Sequence, residues 1–246
     1  MNIAVLGGTG LIGSQVVKLL KAAGHDATPL SPSSGVDLLT GEGLDGALKG
    51  ADVVVNLTNS PTFDDASLAF FQTSMDNMLA AAKREGVGHA VILSIVGVDQ
   101  VPDLAYYRAK LLQEKILESG PVPYSIVRAT QFFEFMPSVL TWTSDENTVR
   151  LPATPVQPLA SADISKAVAE VSAGAPLNGI RNVGGPEVFT LDELGRIILE
   201  AKGDKRPVVV DDTAGMFSAV RGDVLTAPAD AVLSTTTFRE WLATQK

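Results

Sequence analysis

Three residues have the types and order of an acid–base apparatus: Ser94, then Tyr106, then Lys110. Tyr106 and Lys110 are separated by one helical turn, so on a helix they share a face. A phenol with its ordinary pKa of about 10 exchanges protons poorly at neutral pH unless a nearby cation favours phenolate. Lys110 is placed to supply that charge, and Ser94 to hydrogen-bond a substrate oxygen. Tyr-x-x-x-Lys is a weak pattern alone, because a tyrosine at a helix start is often there for packing. Tyr107 competes with Tyr106, since a shift of one residue exchanges the phenol that faces a cleft.

A second motif is Gly7-Gly8-Thr9-Gly10-Leu11-Ile12-Gly13. It follows the apolar run Ile3 to Leu6 and opens a segment in which Ile12, Val16, Leu19, Leu20 and Ala23 recur at helical spacing until Gly24. In a strand, glycine turn and helix, Gly7 permits the tight turn, Gly10 lets a ligand approach the backbone, and Gly13 lets helix and strand pack closely. Helix-start N–H groups and the positive end of the dipole then bind an anion without a basic side chain. The anion such a loop takes is the pyrophosphate of a dinucleotide.

These residues need a scaffold, and the rest of the chain reads as one. Ala27 to Leu30, Val53 to Leu57, Ala90 to Ile95 and Tyr124 to Val127 are short apolar strands. Between them lie helical faces carrying Leu68, Phe71, Met75, Met78, Leu79 and Ala82, then Ala105, Ala109, Leu112 and Ile116. This alternation predicts an α/β fold, a Rossmann-type doubly wound parallel sheet with right-handed crossovers. After about Leu140 regularity fades, and helices are expected over 161–173 and 191–201. Thr190 with Glu193, and Thr237 with Glu240, have the spacing of capping boxes. The expectation is one dinucleotide-binding domain over 1–246, with segments of a small C-terminal substrate lobe mainly within 141–246.

The Gly-x-x-Gly-x-x-Gly spacing of Gly7, Gly10 and Gly13 resembles the short-chain dehydrogenase/reductase superfamily. The whole run from Asn2 to Gly13, with Tyr106 to Lys110 and Gly184 to Glu187, is most similar to its atypical NmrA-like and isoflavone-reductase-like branch. The resemblance implies NAD(P) binding by Gly7, Thr9, Gly10, Leu11, Ile12 and Gly13, with Asp37, Leu38, Asn56, Leu57 and Thr58 flanking adenine and ribose. Lys110 would also hold the nicotinamide ribose, and Thr130 would reach the carboxamide. The asparagine that completes the catalytic set in many relatives is not evident; Thr73 falls near its place and Asn77 a turn later.

An acidic residue at the end of the second strand ordinarily selects NAD. Ser31 stands there, and Ser31, Ser33 and Ser34 could donate to a 2′-phosphate, so NADP(H) is expected over NAD(H); alternatively the serines make a polar turn. Phe132, Phe133 and Trp142 belong to an aromatic cluster that is either a substrate pocket or core.

The chain of 246 residues has 28 acidic and 19 basic residues, a formal net charge of −9, and no cysteine. Acidity disfavours nucleic acid and anionic membranes. No metal site is expected, and the two histidines, His25 and His89, read as surface or strand-edge residues. No signal peptide or membrane span is legible, so a cytoplasmic monomer or homodimer with a small-molecule substrate is expected. The leading function is an NADPH-dependent reductase delivering hydride to a carbonyl, quinone or activated alkene of a small, partly apolar molecule. A non-catalytic NADP(H)-sensing regulator is second, and a nucleotide-sugar epimerase or dehydratase third.

Overall fold

Short apolar runs and longer amphipathic segments alternate in the fold as they do along the chain. The computed structural model describes residues 1–245. In order come β1 (Asn2–Leu6), α1 (Leu11–Ala22), β2 (Asp26–Leu30), α2 (Leu44–Leu48), β3 (Val53–Asn56), α3 (Ala66–Glu85), β4 (His89–Ile95), α4 (Ala105–Glu118) and β5 (Tyr124–Ala129). There follow α5 (Met136–Trp142), β6 (Val149–Leu151), β7 (Pro155–Val156), α6 (Ser161–Ala173), β8 (Gly179–Gly184), β9 (Phe189–Thr190), α7 (Leu191–Lys202), β10 (Val208–Val210), β11 (Val232–Leu233) and α8 (Phe238–Ala243).

Seven strands make the main sheet in the order β11-β8-β5-β4-β3-β1-β2. β1 pairs in parallel with β2 on one side and β3 on the other, with Leu6 level with both Leu30 and Asn56. The order of the chain therefore reverses at β1, and the carboxyl ends of β1 and β3 border the switch point where open α/β sheets bind ligands. Ala4, Leu6, Val54, Ala90 and Ile92 share a core with Met75, Met78 and Leu79 of α3 and Leu117 of α4.

The chain forms two compact units. The first is Met1–Arg128 with Ile164–Arg181; the second is Ala129–Asp163 with the chain from Asn182 onward. The second unit thus begins earlier than the expected lobe, and α6 returns to the first from Ile164. Phe133 and Phe238 form the centre of the second unit, their rings 5.0 Å apart, with Trp241 stacked on Phe238. Both expected capping boxes are present, at the starts of α7 and α8. Among the described residues, no helix is long and apolar enough to cross a membrane.

Of the two readings of His89, the strand edge holds and the surface does not: it begins a central strand, is 3% exposed, and its Nε2 lies 2.8 Å from Ser125 Oγ. Ser125 Oγ also accepts the Leu177 amide, so a second segment closes over the strand start. Burial holds the imidazole below its ordinary pKa of 6.5. The unfolded chain therefore takes up a proton at a pH where the folded chain does not, and stability falls as pH drops below that value.

Two measurements test these contacts. Wild type should lose more stability in denaturant titrations between about pH 7 and about pH 5 than His89→Gln, which keeps a hydrogen-bonding group toward Ser125; parallel pH profiles would refute the assignment. A Cβ at Gly13 would lie 2.1 Å from the Gly7 carbonyl oxygen, so Gly13→Ala should cost about 2 kcal/mol in the same titration.

Candidate functional site

The loop between β1 and α1 is shaped by backbone contacts that exclude side chains. Gly7 has φ +73°, and a Cβ there would lie 2.9 Å from the carbonyl carbon of Leu57, which follows β3. Gly8 would meet Pro29 Cα at 2.6 Å, and Gly13 would meet the Gly7 oxygen. Gly10 differs: the nearest protein atom to its Cβ position is the Gly7 oxygen at 3.4 Å. The chain's own packing requires glycine at 7, 8 and 13, whereas at Gly10 a Cβ would make only ordinary van der Waals contact.

Gly10 is also the N-cap of α1, with no side-chain cap and no acidic residue in the first turn. The first helical N–H groups therefore keep their hydrogen-bonding capacity. Thr9, Gly10 and Leu11 are exposed, while Ile12 and Gly13 are buried. An uncapped helix start, a missing Cβ and exposed backbone fit the pyrophosphate of a dinucleotide, which Thr9 to Gly13 would hold.

At the end of β2 the serines bond to one another. Ser31 N donates to Ser34 Oγ at 2.9 Å, Ser34 Oγ donates to the Ser31 carbonyl at 2.8 Å, and Ser31 and Ser33 hydroxyls lie 2.8 Å apart. They form a polar turn whose hydroxyls remain at the surface. Asp37 accepts the Leu39 amide at 2.7 Å, and Leu38 is buried. Asn77 braces this loop by donating to the Leu38 carbonyl at 2.8 Å. Asn56 is buried and accepts from Thr58 N and Oγ1 at 3.0 and 2.6 Å, which turns the chain through Leu57 after β3.

Ser94 continues the face of Ala90 and Ile92 near the end of β4. It is buried, and its Oγ has no hydrogen-bond partner among the described residues. Tyr106 and Lys110 lie on α4. The ambiguity between the two phenols resolves: Tyr107 is 3% exposed within the core, and Tyr106 is only partly buried. Tyr106 donates its hydroxyl proton to Asn59 Oδ1, and its ring meets Phe63 edge-on at 4.9 Å. Burial pushes the phenol up to about 12, against the opposing effect of the Asn59 bond.

At Lys110 burial decides the partners of the amine. Lys110 does share the inner side of α4, but burial turns its amine to a main-chain acceptor: Nζ donates to the Leu93 carbonyl at 2.7 Å and to Gln113 Oε1. It also stands 4.8 Å from the centre of the Phe71 ring. Burial brings the amine down to about 7, opposed by the charge of Glu114. The phenol is raised, not lowered, by its own burial, and Ser94, Tyr106 and Lys110 do not bond to one another. Glu114 itself holds Arg128 through two bonds of 2.9 and 2.6 Å.

Spacing did not identify Asn59 or Gln113. Asn59 adjoins Asn56-Leu57-Thr58 at the carboxyl end of β3, and Gln113 sits three residues beyond Lys110; position beside named residues was the available signal. Thr73 is exposed on α3 and Asn77 is occupied with the Leu38 loop, so neither stands in for the missing asparagine. In the second unit, Thr130 is buried and donates Oγ1 to the Gln157 carbonyl at 2.5 Å. Phe133 is fully buried core, Phe132 is half-buried, and Trp142 is 50% exposed, edge-on to Phe135 at 5.3 Å.

The chain is 27% identical over 240 residues to the chloroplastic divinyl chlorophyllide a 8-vinyl-reductase of Cucumis sativus, covering 82% of this chain and 57% of that protein. It is 30% identical over 154 residues to the (4-alkanoyl-5-oxo-2,5-dihydrofuran-3-yl)methyl phosphate reductase of Streptomyces griseus, covering 57% of this chain and 50% of that protein. The chain thus spans about half the length of these curated relatives. The Thermus thermophilus UDP-glucose 4-epimerase, solved with NAD, shares the fold at a TM-score of 0.71 and 19% identity, over 99% of this chain and 93% of that one. A family model described as NAD(P)H-binding matches residues 7–171, from the first glycine of the loop through most of α6. With a glycine cradle at the switch point and that match across most of its length, the chain belongs to the NAD(P)H-binding family.

Proposed function

We propose that the protein is an NADPH-dependent reductase of a carbonyl, quinone or activated alkene in a small, partly apolar molecule. The observation that carries this reading is the Tyr106 phenol, which is partly buried, kept protonated, and held by Asn59 from the end of the strand that borders the glycine loop. A protonated phenol held in place can donate to the alkoxide that develops as a carbonyl is reduced. The reductases named among the relatives support the same direction.

When bound, a reduced nicotinamide supplies the hydride. Within Thr9 to Gly13, the N–H groups of the first turn of α1 would bind the pyrophosphate, the Gly10 N–H being held by the Gly7 carbonyl at 3.0 Å. Tyr106 releases its proton to the substrate oxygen and regains one from solvent, while Ser94, buried and without a partner, offers that oxygen a second donor. Phe71 touches both the Lys110 amine and the Tyr106 ring, whose centroid is 6.2 Å from its own. In this reading the Lys110 ammonium, on the ring that also meets Tyr106, offsets part of the phenolate charge left by proton release. At Ser31, Ser33 and Ser34 no carboxylate opposes a 2′-phosphate, which supports NADPH.

A regulatory NADP(H) sensor has one observation in its favour: Tyr106 and Lys110 bond elsewhere, Ser94 has no partner among the described residues, and none of the three bonds to another. Turnover separates the two readings.

In assays against ketones, quinones and enones, Tyr106→Phe should reduce turnover by about 100-fold or more while NADPH affinity is kept. Gly10→Ala should leave the unfolding midpoint nearly unchanged, within about 0.5 kcal/mol, yet weaken NADPH binding in calorimetry. Tight binding with no turnover on any compound would establish the sensor. Lys110 loses its proton as pH rises through about 7, whereas Tyr106 stays protonated to about 12. Turnover should therefore fall above about pH 7, and Lys110→Met should be slower and lack that limb; an unchanged limb in the variant would remove Lys110 from the mechanism.

A further inference from the structure

The second unit holds a cleft of about 420 Å³ bounded by Pro152–Pro155, Asp212 and the segment from Ser218 to Gly222. This is within the ~300–1,000 Å³ range of small-molecule sites. Its walls are tied in place: Ala153 N donates to Asp212 Oδ1 at 3.2 Å, Asp211 N to the Leu151 carbonyl at 2.9 Å, and Leu191 N to the Thr154 carbonyl at 2.9 Å. Two prolines stiffen the strand connector on one side, so the cleft is largely set before a ligand arrives.

Arg221 supplies the positive charge. Arg84, Arg108, Arg128, Arg196 and Arg206 each lie against a carboxylate. Arg221 bonds only through Nη1, to the main-chain carbonyls of Ser218 and Val220. Those two bonds fix the plane of the guanidinium and leave Nε and Nη2 without a partner among the described residues. In a chain of net charge −9, a cation held in one orientation at a cleft and left unneutralised is the arrangement that receives a planar or tetrahedral anion through paired N–H donors. Asp212 lines the same cleft without forming an ion pair with Arg221. Its Oδ1 is bound to Ala153, and its other oxygen can accept a hydroxyl.

We infer that this cleft is a binding site for a small hydroxylated anion, its carboxylate or phosphate group on Arg221 and a hydroxyl on Asp212. The site lies wholly within the second unit and requires nothing of Tyr106 or Lys110, so it goes beyond the reductase reading.

The test titrates the whole protein with glycerate, glycerol 3-phosphate and uncharged glycerol, following the amide resonances of Ala153, Thr154 and Gly222. At least one anion should shift these resonances saturably while glycerol does not; which anion does so separates carboxylate from phosphate recognition. Arg221→Gln should weaken that binding by about tenfold or more, the scale of a lost charge-assisted hydrogen bond, and Arg221→Lys should recover only part of it. Asp212→Asn preserves the bond to Ala153 and guards against a misfolded arginine variant; it should tighten binding of inorganic phosphate by removing a like charge. No saturable shift from either anion, or equal binding by wild type and Arg221→Gln, would overturn the assignment. The readout is binding alone, so it fails or succeeds independently of any turnover assay.

Discussion

The approach of α1 to the loop that precedes it governs the first unit. Gly13 sits so near the Gly7 carbonyl that no side chain fits between them, and this contact aims the helix axis along the carboxyl end of β1. Gly7 in turn lies against Leu57 and Thr58, which ties the same loop to the end of β3. The ligand end of the sheet is therefore a junction of three backbone segments, and side chains enter it only from the periphery. A junction of this kind is intolerant of substitution for steric reasons, while Gly10, where a Cβ would make only ordinary contact with the Gly7 oxygen, is constrained further only if a ligand lies against it.

Around this junction the polar side chains are organised by burial more than by attraction to one another. α4 carries Lys110, Gln113 and Glu114 on its inner side, each nearly inaccessible to water. Buried charges must find partners, and these do so locally: Lys110 on a strand carbonyl and an amide, Glu114 on the Arg128 guanidinium. The chain Lys110, Gln113, Met75, Asn56 continues through weak contacts to sulfur of 3.7 and 3.6 Å, joining α4 to the turn after β3. The same turn carries Asn59, which meets Tyr106.

How much of this was legible depended on whether a residue's role is local. The strand, glycine loop and helix, and the capping boxes of α7 and α8, follow from neighbours in sequence, and they appear where the pattern places them. The direction of the Lys110 amine does not: helical spacing assigns it a face, but only the depth of that face decides between a neighbouring phenol and the Leu93 carbonyl. The partners of His89 and Thr130 were out of reach for the same reason, since tertiary cover supplies Ser125 and Gln157 from distant segments. β8, the strand Gly-Ile-Arg-Asn-Val-Gly, mixes polar and apolar residues without alternation, and β11 has two residues, so neither carries a readable period.

The bond between Tyr106 and Asn59 gives the resting protein an internal acceptor for its own acid. Asn59 is exposed, and its amide oxygen occupies the phenol's one donor direction. In the proposed reductase a substrate oxygen would have to displace that amide before taking a proton, so a weakly basic oxygen would compete poorly. The side chain that restrains the acid would then set a threshold of hydrogen-bond basicity for entry, a form of selection that depends on the acceptor's electronic character and not on its size.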